Sequence, residues 1–217
     1  MRKTGKIVNK TLHILLIFAI LLSCFALTSC DREYDEGEVK EALEELLSKI
    51  GALNTVYFGR GISYISSPES DGIYSEANFL HLKELGFNTV EELKTLTQSV
   101  FTEKYSQSIF DSKLRDITDG ENLIQAARYY QKKDFDGTNI CILVDTTAKS
   151  IFDDRMTFDL SSIRVEGSEG EQVICFVTAE VQNENGDTQL KQLRVVLIEE
   201  KDGWRIDNPV FANYSDN

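Results

Sequence analysis

Few side chains in this sequence have the type and spacing that covalent or metal chemistry needs. Past residue 30 there is one histidine, His81, and any serine or cysteine nucleophile would have to use it as its base. It stands in Phe79-Leu80-His81-Leu82, apolar on both sides, which reads as a histidine at the edge of a packed segment. Cys141, Cys175 and His81 are scattered and lack the paired ligand spacing of a zinc site. Asp153-Asp154 is a pair of the kind that binds calcium or works in glycoside hydrolysis, although solvated surface acids explain it more simply. Asp134-Phe135-Asp136-Gly137 is too short for an EF-hand loop and lacks the distant Glu. Gly59-Arg60-Gly61 has neither the Lys-Ser/Thr nor the preceding strand of a phosphate-binding loop. The expectation is no catalytic residue, no metal and no cofactor.

Aromatic side chains are the remaining chemical signal. Tyr57, Phe58, Tyr64, Tyr74, Tyr129 and Tyr130 fall in poorly periodic segments. Rigid amphipathic rings are enriched where proteins bind one another. Tyr57, Tyr64, Tyr74, Tyr129 and Tyr130 are therefore the expected contact surface for a protein or cell-wall ligand. The alternative is that the same rings close the open end of a sheet and complete its core.

The elements that must position these residues follow from periodicity. Val39, Ala42, Leu43, Leu46, Leu47 and Ile50 recur at helical spacing, predicting a helix over 38–53 that stops near Gly51. Glu41, Glu44 and Glu45 sit near its start, where the helix dipole favours acids. Residues 57–78, rich in glycine and serine, read as a loop or a pair of short irregular strands. Thr89 and Glu92 have capping-box spacing before a second helix, and Thr102 caps a third. Strand-like runs follow at 123–131, 139–145, 157–165, 171–181, 190–199 and 204–208, punctuated by turn residues. A two-residue Asn185-Gly186 turn would set Glu180 opposite Lys191, Phe176 opposite Val195 and Ile174 opposite Leu197. Helices followed by consecutive strands indicate a single α+β domain over 38–217, with N-terminal helices packed on one face of a curved antiparallel sheet.

The amino terminus belongs to a different system. Arg2, Lys3, Lys6 and Lys10 precede a wholly apolar run from Ile14 to Leu22, and small residues lead on to Cys30. That order is a secretory signal, residues 1–29. Leu27-Thr28-Ser29-Cys30 resembles the lipobox of bacterial lipoproteins. The resemblance implies a diacylglyceryl thioether on Cys30, cleavage before it, and an acidic tether over 30–37. It also implies a chain anchored by that lipid on the extracytoplasmic face of the cell membrane. An uncleaved transmembrane helix is the alternative, because residues 11–29 carry no charged side chain. Without the signal, 188 of 217 residues remain, with 36 acids and 19 bases, a net charge of −17. Such a charge repels nucleic acid and anionic bilayers but permits a basic protein partner. Cys141 and Cys175 lie in apolar runs and read as buried free thiols, with a disulfide between neighbouring strands as the alternative.

The order of elements also resembles the NTF2-like (cystatin-like) superfamily. The residues that carry the likeness are Val100-Phe101-Thr102-Glu103-Lys104-Tyr105 and a closing Asp202-Gly203-Trp204-Arg205-Ile206-Asp207. The likeness implies a cone-shaped α+β fold. Gly86-Phe87-Asn88-Thr89-Val90-Glu91-Glu92-Leu93, followed by Phe101-Thr102, is similar to the Gram-positive DL-endopeptidase inhibitor family. That family restrains cell-wall hydrolases, so a hydrolase is one implied partner. Its members are typically freely secreted, whereas this chain carries an anchor signal. Two other functions remain open at this point. One is a sensor or carrier holding a small ligand in the cone. The other is an isomerase or hydratase built around Asp207 or His81.

Overall fold

In the computed structural model, residues 34–65, 74–116, 127–133, 140–151 and 155–214 are described, all within one unit, Tyr34–Asn217. A long first helix, α1 (Glu36–Tyr57), begins where the Asp35 carboxylate accepts the amides of Gly37 and Glu38 at 2.7 and 3.1 Å. Its buried stripe of Val39, Leu43, Leu46, Leu47, Ile50, Leu53 and Tyr57 decides its length. Gly51 does not end it, contrary to expectation. It lies on the exposed face with nothing within 4 Å of where a Cβ would sit, while burial of Ile50 and Leu53 on either side carries the helix onward.

Strand β1 (Tyr74–Glu76) follows, then three more helices: α2 (Phe79–Leu85), α3 (Val90–Val100) and α4 (Glu103–Lys113). The two anticipated caps form. Thr89 Oγ1 accepts from Glu92 N at 3.1 Å, and Thr102 Oγ1 accepts from Tyr105 N at 3.2 Å. The Glu92 carboxylate reaches back to Asn88 N at 2.6 Å, one residue beyond the cap itself. The sequence reading missed α2, a short helix capped by Asn78 and closed by Gly86 at φ +90°.

The remaining strands are β2 (Leu114–Asp116), β3 (Tyr129–Lys133), β4 (Ile140–Asp145), β5 (Arg155–Glu169), β6 (Gln172–Gln182), β7 (Thr188–Glu200) and β8 (Gly203–Ile206). The fold is α+β, but the strands divide between two four-stranded sheets rather than one. The first has order β1-β4-β3-β2, with β2 parallel to β3 and the other pairs antiparallel. The second is the antiparallel meander β5-β6-β7-β8, against which α1 lies through β5 and β8. β1 precedes three helices in the chain yet pairs with β4, a long-range pairing that local periodicity cannot show.

The register of β6 with β7 differs from expectation by one residue. Glu180 faces Leu190, Cys175 faces Val195 and Val173 faces Leu197. The cause is a three-residue loop. Gly186 N bonds to Asn183 O, and the Asn183 side chain accepts the amides of Asn185 and Asp187. Only Gly186, at φ +87°, takes the left-handed conformation, and Asn185 does not. Val173, Cys175, Val177, Ala179 and Val181 share one buried face of β6, and the shift changes which residues of β7 lie beside them. Cys175 is a free buried thiol, and β4, which carries Cys141, belongs to the other sheet.

This interior holds several neutral acids. Burial raises the Cys175 thiol to about 11 and the Tyr129 phenol to about 12. Tyr57 is raised further, also by burial. The folded state thus retains protons that an unfolded thiol releases near pH ~8.5 and a phenol near ~10. The contribution of these groups to stability is then constant below about pH 8 and falls as pH rises through 9 to 11. Urea midpoints should match at pH 7 and 8, and drop by pH 10.5 by the equivalent of on the order of 2 kcal/mol. A midpoint that holds at pH 10.5 would contradict the burial of these groups.

Candidate binding surface

The tyrosines singled out from the sequence do gather, around the carboxyl end of α1. A helix leaves its last carbonyls without partners, and α1 has no basic residue in its last turn. Strand β3 and the residue before it supply what is missing. The Arg128 guanidinium donates to Tyr57 O at 3.0 Å and to Gly59 O. Tyr129 Oη donates to Val56 O at 2.6 Å and accepts from Ile62 N at 3.1 Å. Phe58 O takes the Ile151 amide at 2.8 Å, and Ser150 Oγ adds a second donor to Gly59 O. Arg128 is buried, so these carbonyls, together with the face of Tyr129 at 5.8 Å, replace its water shell.

Gly61 makes this clasp possible. At φ +82° it turns the chain directly over the two side chains, and a Cβ there would sit 2.7 Å from both Arg128 Nη2 and Tyr129 Oη. Beyond it the chain forms a short hairpin with the segment after β1. Ile65 N bonds to Glu76 O at 3.0 Å, Asn78 N to Ser63 O at 2.7 Å, and Tyr64 bridges to Ala77. Ala77 N in turn bonds to Ile142 O, tying the hairpin to β4. Tyr74 Oη donates to Tyr130 Oη at 2.9 Å, with the two rings edge-on at 4.5 Å.

The expectation of an exposed tyrosine surface is therefore corrected in part. Tyr57, Tyr129 and Tyr130 are completely buried, because their hydroxyls find internal partners. Tyr74 is half-buried, and of the five only Tyr64, at 43%, counts as exposed. Apart from Tyr64, the rings belong to the interior that supports this region. What they support is apolar and open to solvent: Ile65 is 66% exposed, Phe79 61% and Leu80 68%. Phe79 and Leu80 were missed because α2 was missed, and Ile65 lies in the segment 57–78 that was read as a loop or short irregular strands. Asn78 before Phe79 and Gly86 after Leu85 were the available signals.

The other candidates resolve as structural. His81 Nδ1 accepts the Ser63 amide at 2.8 Å, which joins α2 to the hairpin. Asp207 accepts from Thr102 Oγ1 at 2.5 Å, and Thr102 N donates to Ile206 O, so this carboxylate fixes the start of α4 against β8. Among the described residues no three or more His, Cys, Asp or Glu side chains converge on a metal position. Asp153, Asp154 and the Asp134–Gly137 segment lie outside the described residues, as do Cys30 and the signal.

At the other end of α1, open grooves run past the β7–β8 turn. One, of about 430 Å³, is lined by Glu38, Glu41, Glu45, Lys49, Trp204 and Arg205. A second, of about 520 Å³, shares Arg205 and adds Gln98, Glu103, Glu200 and Lys201. The acids here already have work within the fold: Glu200 accepts the Glu103 amide at 2.9 Å and Glu38 meets the Trp204 indole at 3.4 Å. Arg205 is spent on the carbonyls of Gln98 and Trp204. No family model, no curated protein and no solved structure matches the chain.

Two glycines test this account in opposite directions. Gly61→Ala forces a side chain into the clasp at positive φ and should cost about 2–4 kcal/mol, lowering the melting temperature by roughly 5–12 °C. Gly51→Ala fills open space inside a helix and should stabilise by up to about 1 kcal/mol. Thermal melts of the two variants check both, and a neutral Gly61→Ala would contradict the clasp.

Proposed function

We propose that this chain is a lipid-anchored extracytoplasmic binding module, held at the membrane through Cys30, that restrains a cell-wall hydrolase. The observation that carries the binding reading is the group of exposed apolar side chains at Tyr64, Ile65, Phe79 and Leu80. They project from a hydrogen-bonded hairpin and the first turn of α2, so their positions are fixed before any partner arrives. Exposed apolar side chains, where they are contiguous, mark sites of interaction. The signal, with Leu27-Thr28-Ser29-Cys30 at its end, supports the anchor. Only four residues separate Cys30 from the Asp35 cap of α1, which suits a short tether.

An NTF2-like cone is the fold we favour for the second sheet. A long amino-terminal helix lies on a meander that closes with Gly203-Trp204-Arg205-Ile206, and α4 enters beside β8. The carrier and isomerase readings draw less support. The described grooves are open to solvent, and Asp207 and His81 are both engaged in holding elements together.

Two measurements test the proposal. Cys30→Ala should abolish palmitate labelling and move the protein from the membrane to the medium or to an unprocessed precursor, whereas unchanged retention would remove the anchor. Addition of the mature chain to purified cell walls digested by their own extracted hydrolases should slow clearing of turbidity. Phe79→Ser with Leu80→Ser should abolish that slowing without altering the melting temperature. Clearing at the same rate with and without the wild-type chain would end the hydrolase reading.

A further inference from the structure

We infer that the segment Asp207–Tyr214, which follows β8, is a latch on the exit of α1. Docked, it holds Phe58–Gly61, the root from which the hairpin springs; released, it loosens that root while the β5–β8 meander stays paired. Such a latch acts whether or not the hairpin meets a partner. Its base is fixed. Asp207 N donates to Val196 O at 2.9 Å, and the Asp207 carboxylate accepts from Thr102 Oγ1. The Asn208 side chain accepts the Val196 amide at 2.7 Å and donates to Arg194 O at 3.0 Å. Beyond that base the segment belongs to no strand, yet Val210 and Ala212 are buried. Apolar burial and side-chain hydrogen bonds therefore hold it down, rather than a strand ladder.

Three grips run from this segment to the exit of α1. Val210 O accepts Asn54 Nδ2 at 2.7 Å, and Asn54 O is the acceptor for the Phe58 and Gly59 amides that close the helix. The Phe211 ring packs on the Phe58 ring, with centroids 5.0 Å apart. Asn213 Nδ2 donates to Ile151 O at 3.0 Å. Ile151 N in turn donates to Phe58 O, and the neighbouring Ser150 hydroxyl to Gly59 O, both at 2.8 Å. Arg128 and Tyr129 hold the same turn from the β3 side. The exit of α1 is thus held by two elements, one rooted in a ladder and the other outside any. Segments outside the ladders open locally at lower free energy than the whole fold. Opening of this one removes the ring from Phe58, the acceptor from Asn54 and the anchor from Ile151 together, so that Phe58–Gly61 keep only the β3 grip. A looser root then has to be ordered by any partner that the hairpin meets.

The test follows amide hydrogen exchange by NMR in the mature chain from residue 30 carrying Cys30→Ser. The reporters are the hydrogen-bonded amides of Phe58, Gly59, Gly61 and Ile151, with Val177 and Val195 on the central strands β6 and β7 as references. Phe211→Ala with Asn213→Ala removes two of the grips and leaves the buried Val210 and Ala212 in place. Exchange at the four reporters should rise at least about ten-fold, while the two references stay within about two-fold of wild type. Unchanged exchange at Phe58, Gly59 and Gly61 would overturn the latch, because the β3 grip alone would then hold the root. A rise by the same factor at reporters and references would overturn it as well, since the segment would then open only with the whole fold. If the paired variant does not fold, Asn213→Ala alone is measured and judged by the same two comparisons. Neither readout involves a partner, so the hydrolase reading stands or falls separately.

Discussion

A buried guanidinium completing a helix is the interaction on which this structure turns. The last turn of α1 carries no positive side chain, and its carbonyls from Val56 to Gly59 would otherwise face the interior without donors. Arg128 and Tyr129, at the start of β3, provide donors for Val56, Tyr57 and Gly59, and the Ile151 amide takes Phe58 O, while the body of the same helix lies on the second sheet. One cluster thereby links both sheets. A buried charge costs several kcal/mol unless its hydrogen-bonding capacity is met, so the arrangement holds only as a set. Gly61 belongs to that set because no other residue allows the chain to turn so close to both side chains.

The exposed apolar side chains follow from this constraint. Because Ile62 takes its hydrogen bond from the clasp, the chain that leaves it is aimed toward β1 and α2, and the hairpin forms there. Tyr74 and Tyr130 stack edge-on beside the same strands, and Tyr57 closes against Thr97 of α3 at 2.8 Å. Aromatic bulk is thus spent inside, leaving Ile65, Phe79 and Leu80 outside on a fixed base.

Much of this was legible from the sequence where the signal is local. The caps at Thr89 and Thr102, the stripe of α1 and the strands from β4 to β8 follow from spacing and turn residues. What failed was non-local or depended on one turn. A stripe of buried leucines outweighs one exposed glycine, so α1 ran past Gly51. An asparagine side chain at 183 reorganised the hairpin loop and moved every partner of β6 by one. The tyrosines were recognised as a group, but whether a ring faces inward depends on the distant partner of its hydroxyl. Tyr129 with Val56 and Tyr57 with Thr97 are contacts that no window of sequence contains.

The central claim is that the hairpin beyond the Arg128 clasp is the face that meets a partner. Photocrosslinking in intact native cells addresses it directly, with a benzophenone side chain placed at position 80 and, as a control, at the equally exposed Leu190 on β7. The account predicts a discrete adduct from position 80 to one other protein and none from position 190. Adducts from both positions alike, or from neither, would contradict it.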